Sequence, residues 1–197
     1  MAQSFAPFGF RAVAALGTHG NEVRAYPLPN GAACPDLGKG SPVKMSGGVI
    51  TSVGTGGGPL LGVAAGFAWV DPTTKQPQMR NSIPADTSSA GDIEGLGNRP
   101  IAYVIDNSAT LYMIQADATV TAGDLGLNFD VTATGGDVNT VYGTSRYALD
   151  ASTRTSAVGT ALKLVGIARI IDNDWGDPFP VVVVKMNGPI LDQVSAA

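Results

Sequence analysis

The chain has 197 residues, of which 44% are hydrophobic and only 14% charged, so its composition is that of a folded chain rather than a disordered one. Its net charge is −4, from 12 basic and 16 acidic residues with no run of Lys or Arg, which argues against a nucleic-acid groove or a direct membrane contact. One cysteine, Cys34, excludes an intramolecular disulfide, and one histidine, His19, leaves too few ligands for a His/Cys zinc site.

Charged residues fall well below the roughly 25% of an average soluble protein, so few charges remain to solvate the surface. A surface partly covered by neighbouring molecules is the sharper reading; a domain of small residues is the plainer one. Gly (26) and Pro (13) suit many turns between short strands. No apolar run reaches the roughly 18 residues that span a bilayer. The opening MAQSFAPFGFRAVAALG has no basic region ahead of its apolar part, so no signal peptide is expected.

Residues 1–30 read as an N-terminal arm. Phe5, Phe8 and Phe10 crowd into six positions around Pro7 and Gly9, followed by Arg11. Pro7 opposes a regular helix, and an extended aromatic strip suits docking, either on another chain or on its own domain. Arg11–Leu16 is the one short window with helical spacing. His19 falls in a Gly17–Asn21 turn, Glu22–Tyr26 is a short extended piece, and Asn30-Gly31 supplies a turn.

The β domain is expected over 31–190, with 191–197 as a C-terminal tail. Val43–Met45 and Val49–Val53 are short strands about a Gly47-Gly48 turn, and 54–59 is a glycine-rich loop. In Leu60–Val70, Val63, Ala65, Phe67 and Trp69 alternate with Ala64, Gly66 and Ala68, which predicts a strand with one bulky and one small face. Asp71–Gly97 is a long polar interval, expected to be an exposed and partly extended excursion held by Trp69 and Met79 near its ends. Ile101–Asp106 and Ala109–Ala116 have the spacing of a hairpin about Asn107-Ser108. Asp124–Val131 is another strand, Gly135-Gly136 opens a loop, Tyr142–Tyr147 is a short strand or bulge, and Leu149–Ser156 reads as an exposed connection.

Leu162–Ile171 and Val181–Met186 are the two strongest apolar runs, rich in β-branched residues, and are expected to pair. One face would carry Leu162, Leu164, Ala168 and Ile170, and the other Ile167 and Ile171. The pattern as a whole predicts an all-β fold, a barrel or sandwich of short antiparallel strands with an extended N-terminal arm and long loops.

Candidate chemistry is sparse. A catalytic triad would have to use His19, and no G-x-S-x-G turn accompanies any serine. Nothing places Cys34 beside His19. Gly38-Lys39-Gly40-Ser41 fails as a phosphate loop, since Ala33 and Gly40 stand where Gly and Ser/Thr belong. Asp172–Asp177 resembles the start of a calcium loop but lacks the sixth-position Gly and the terminal Glu, and a turn needs the same residues. No enzyme activity, cofactor or metal is expected.

The order of motifs is informative. GFR near the start, GKGSPVKM like a G-D-P-V strand opening, and GPLLGVAAGFAW like a G-x-x-x-G-V-x-x-G strand come first. LYMIQAD, GLNFDV, SRYALD and LKLVGIARIIDNDWGDPFPVVVVKMN follow. From Phe8 to Asn187 this succession resembles the small capsid decoration (cement) proteins of tailed bacteriophages. It departs in having Lys39-Gly40 where an acidic residue before Pro42 is usual. The resemblance implies a structural virion protein, assembled in the host cytoplasm, on the capsid exterior at capsomer junctions. Its implied partners are the major capsid protein and itself, as a trimer rather than a dimer. Contacts are expected from the arm residues Phe5, Phe8, Phe10 and Arg11, and from a loop with Trp69, Met79 and Arg80. The alternative is a carbohydrate-binding or host-recognition module of a phage fibre, with Trp69 or Trp175 as a stacking platform.

Overall fold

The computed structural model describes residues 4–15, 22–56, 58–157 and 159–187. His19 and the 191–197 tail lie outside the described residues. The protein is all-β, with 48% of it in strands and 3% in single helical turns. In chain order the first strands are β1 (Arg11–Ala15), β2 (Val23–Pro27), β3 (Leu37–Gly38), β4 (Pro42–Ser46) and β5 (Val49–Ser52). Then come β6 (Gly62–Val70), β7 (Pro77–Arg80), β8 (Ser82–Ile83), β9 (Ile101–Ile105) and β10 (Thr110–Gln115). The last are β11 (Asn128–Asn139), β12 (Thr144–Thr155), β13 (Leu162–Ile167) and β14 (Val181–Met186).

Six strands form the first sheet in the order β1-β10-β14-β13-β11-β12. It curls until β12 meets the end of β10 again, where Ala116 bridges Leu149 in parallel. Inward side chains of Tyr112, Ile114, Phe129, Tyr147, Leu164 and Val184 fill the curl as one cluster. Full burial of each is worth roughly 1.5–3 kcal/mol. The pairing of β13 with β14, Leu162 opposite Met186 and Leu164 opposite Val184, is the pairing the two apolar runs predict. β13 is shorter than its run, however. Pairing with β14 continues past a bulge between Leu164 and Gly166 as far as Ala168; there the Ile170 amide turns back to the Ala168 carbonyl, and Ile170 and Ile171 end up 47% and 91% exposed.

The second sheet runs β2-β9-β6-β4-β5, with β7 on β6 beyond β4, and β3 pairs separately with β8. Its cluster holds Leu28, Leu37, Ile50, Phe67, Ile83 and Val104 among others. Two tyrosines of the first sheet tie it to the second. The Tyr112 hydroxyl donates to the Ile105 carbonyl at 3.3 Å. The Gly54 amide donates to the Tyr147 hydroxyl at 3.0 Å. Both rings are buried and each uses its polar tip across the seam.

Several sequence expectations need correction. Arg11–Ala15 is a strand, not helical, because pairing with β10 overrides a marginal spacing. The expected arm supplies β1 to one sheet and β2 to the other. β9 and β10 are both strands but do not pair with each other, since they belong to different sheets. Asn107 makes a local turn there, accepting from the Ala109 amide on its side chain and from Thr110 on its carbonyl, and sends the chain across the seam. A bulge between Ala64 and Gly66 breaks the period of β6, so Val63 faces the first cluster while Phe67 and Trp69 face the second. Thr144–Thr155 is one long strand rather than a short strand and an exposed connection. Asp150 and Ser152 lie on the outer face of a strand whose inner face is Ser145, Tyr147, Leu149 and Ala151. Gly135-Gly136 likewise lies within β11.

Candidate functional site

The segment before β1 is irregular, yet it is firmly held. Gln115, 5% exposed, accepts from the Ala6 amide at 2.9 Å and donates to the Ser4 and Phe179 carbonyls at 3.1 and 3.2 Å. Phe5 leans on Phe179 with ring centroids 5.3 Å apart. The Phe10 amide donates to the Gly40 carbonyl at 2.9 Å. Its ring is buried edge-on to Tyr112, at 5.8 Å and 86°.

The three phenylalanines therefore have different tasks. Phe10 belongs to the core, whereas Phe5 and Phe8 are half-buried. The Arg11 guanidinium lies 4.4 Å from the Phe8 ring centroid, a distance at which the ring face attracts the cation. Phe5, Phe8 and Arg11 line an open groove of about 660 Å³ whose opposite wall is Asn139, Tyr142, Thr144 and Arg146 of the β11–β12 hairpin. A second depression shares Phe8, Arg11 and Thr144 with it and adds Lys39, Asn81 and the Val63–Ala65 stretch of β6. A third shares Ala65 and Asn81 with the second and reaches Met79, Arg80 and Tyr103. The three form one continuous surface.

That surface unites most of the residues singled out from sequence. Phe5, Phe8, Arg11, Met79 and Arg80 share it, with Met79 72% exposed. Met79 thus offers contact area rather than pinning the long interval; pairing of β7 with β6 and of β8 with β3 does that. Trp69 is 6% exposed and lies under Arg80, whose guanidinium carbon is 5.7 Å from the ring, so it supports the surface from below. Lys39, Asn81, Tyr142 and Arg146 are members that sequence reasoning did not select. Tyr142 carried a usable signal, as an apolar ring beside Val141 at the tip of a glycine-flanked loop; both are exposed, at 73% and 80%.

Four of the chain's 12 basic residues, Arg11, Lys39, Arg80 and Arg146, line this surface. Among the described residues no Asp or Glu lines it. At the far end Glu94 accepts from the Tyr103 hydroxyl at 3.2 Å; burial first, then this bond, raises the Tyr103 pKa. A positive strip on a chain of net charge −4 favours an acidic counterpart.

No family model, curated protein or solved structure matches this chain.

The other candidate motifs resolve into structural parts. The amides of the Gly38–Ser41 stretch are spent within the protein, that of Gly38 on the Ser41 hydroxyl and the others on carbonyls. Lys39 donates to Asn81 and Gly143, Gly40 to Ala64 and Ser41 to Gly38. In the Asp172–Asp177 link, Asn173 is 7% exposed and stitches Ala168 to Val181, while the Asp177 carboxylate accepts from the Asp174 amide at 2.8 Å. Among the described residues no group of three or more His, Cys, Asp and Glu is placed to hold a metal.

Cys34 is 3% exposed, and burial, with Asp86 and Asp36 adding to it, pushes its thiol from 9.0 up to about 11. The thiol stays protonated at neutral pH, so it is a poor nucleophile. Native protein is expected to react with a thiol reagent at least about 100-fold more slowly than urea-unfolded chain. Because the folded state holds this proton more tightly, its contribution to stability is whole below pH 9.0. It is lost as pH rises to about 11. Equal labelling rates in the two states would refute the assignment.

Proposed function

We propose that the chain is a structural virion protein that binds the outside of a tailed-phage capsid at capsomer junctions and stabilises the shell. The observation that carries this reading is the gathering, on one face, of Phe5, Phe8, Tyr142 and Met79 among four cations. Exposed aromatic and Met side chains beside Arg make up the composition of protein interfaces. The motif order from Phe8 to Asn187 supports the same reading, as does a charged fraction of 14%. Its partners are the major capsid protein and further copies of itself, most simply as a trimer at a local three-fold position.

Holding would be additive. A contact of about 800 Å² per partner is ordinary for a specific complex, and repetition over many junctions supplies the strength that opposes internal pressure. The fibre-tip alternative gains no support from Trp69, whose ring lies buried beneath Arg80.

The test is addition of purified protein to undecorated capsid shells, followed by sedimentation and labelling. Wild-type protein is expected to coat the whole head, and Phe8→Ala with Tyr142→Ala to weaken binding at least about tenfold. Labelling at the tail, or undiminished coating by the double variant, overturns the reading. A monomeric mass both in solution and on the shell overturns the trimer.

A further inference from the structure

We propose that the groove takes an acidic, extended segment of another protein chain as an added strand on the outer edge of β1. This rests on the reading of the groove as a docking face, but not on the partner being a capsid protein. β1 is the terminal strand of the first sheet, and among the described residues no strand pairs with its outer side. Arg11 and Ala12 of β1 line the depression that continues the groove. A sheet edge left in this way is a template for another strand unless it is short, charged or covered. β1 has five residues, enough for an added segment of about 17 Å.

The floor suits a second backbone. Ala65 and Gly66 of β6, both half-buried, put no bulky side chain there. A Cβ placed on Gly66 would meet only the Arg80 carbonyl, at 3.7 Å, so nothing crowds that position.

Charge selects the occupant. Arg11, Lys39, Arg80 and Arg146 line the groove, whereas the molecule as a whole is at −4. A second copy of this chain would bring its own net negative charge as a whole, but one of its basic strands would not complement the rim. Alternate side chains of an added strand point to the same side, so a segment with acidic residues at period two would present them to the cations while its backbone pairs with β1. Single-stranded nucleic acid shares the charge and would find the exposed Tyr142 ring, but Phe8 is capped by Arg11 and a sugar-phosphate backbone has no alternating N–H and C=O groups to pair with β1. The protein segment is therefore favoured.

The probe is a fluorescent peptide of about ten residues alternating Glu and Val, titrated with the full-length protein and read by anisotropy. It is expected to bind, to weaken at least about tenfold in high salt, and to lose at least about tenfold when Lys replaces Glu. Proline at alternate positions removes backbone donors without touching the charges, and is expected to cost at least about tenfold as well. Arg11→Glu with Arg146→Glu should lose the peptide. Because Arg11 also packs on Phe8, hydrogen exchange of wild-type protein is the second measurement: peptide should slow the β1 amides. Equal binding of the proline peptide, no change in β1 exchange, or displacement by an oligothymidylate each overturns the proposal. Failure of the peptide with shell coating intact refutes strand addition and leaves the docking face. Peptide binding without shell coating keeps strand addition and refutes the capsid reading.

Discussion

Gly9→Ala is expected to lower folding stability by about 3 kcal/mol or more and, with it, to dismantle the groove. Gly9 has φ +71°, a left-handed conformation that a side chain disfavours. Space is the larger obstacle. A Cβ there would stand 2.3 Å from Ser145 Cβ, 2.6 Å from its Oγ and 2.7 Å from the Gly40 carbonyl oxygen. None of these can withdraw. Ser145 is fully buried and its hydroxyl accepts from the Tyr147 amide at 3.2 Å, while Gly40 is held by its bonds to Phe10 and Ala64. Gly47→Ala is the control, since Gly47 has φ +58° with nothing within 4 Å of the added atom. That variant should cost only about 1 kcal/mol, the backbone share alone. Urea midpoints of the two variants separate conformational strain from packing, and equal midpoints would sink the packing argument.

The same crossing explains what was hidden in the sequence. Three backbone stretches, around Gly9, Gly38–Ser41 and Gly143–Ser145, meet where the two sheets join. A Cβ on Gly38 would come within 2.8 Å of Thr144 backbone. Glycines in GFR and GKG look like turn residues in isolation; their use as contact points depends on partners far along the chain, Phe10 for Gly40, Thr144 for Gly38 and Ser145 for Gly9. The groove inherits its shape from that junction. Phe5, Phe8 and Arg11 were legible because aromatics in a Pro/Gly segment have no local reason to cluster. Lys39, Asn81 and Arg146 were not, because each reaches the groove only through long-range pairing.

The fold was legible wherever a strand keeps its period. β4 and β5 about Gly47-Gly48, and β13 with β14, follow from β-branched runs and turn residues alone. It was illegible where the period breaks or the two faces carry similar chemistry. The bulge in β6 moves Phe67 and Trp69 away from the side of Val63, and no residue type announces it. β12 conceals Tyr147, Leu149 and Ala151 between Asp and Ser residues that also make good loops. Asn107 hides a change of sheet inside what has the length of a hairpin, because turn residues specify a reversal locally without naming the strand that waits beyond it.

Asn173→Ala is expected to destabilise the protein by about 2–4 kcal/mol, although Asn173 sits in a polar link. Its amide nitrogen donates to the Ala168 carbonyl at 2.7 Å and to the Val181 carbonyl at 2.8 Å, and its oxygen accepts from the Val181 amide at 2.8 Å. Truncation leaves the Val181 amide without its acceptor in a place water does not reach, at about 1–3 kcal/mol, and removes the two donated bonds, although the Ala168 carbonyl still accepts from the Ile170 amide. For a chain of this size that is a fall in Tm of about 4–16 °C. Asn173→Asp keeps the acceptor but removes both donated bonds and buries a charge, so it should be no milder than Ala. Asp174→Ala, at an exposed site, should lie within about 0.5 kcal/mol of wild type. This ordering also decides between the two readings of the link. A calcium loop would need the carboxylates and would melt lower on chelation, whereas a stitched turn needs Asn173, whose oxygen is already bound to Val181. A chelator that lowers Tm, or an Asp174 variant worse than the Asn173 variant, would return the link to the metal reading.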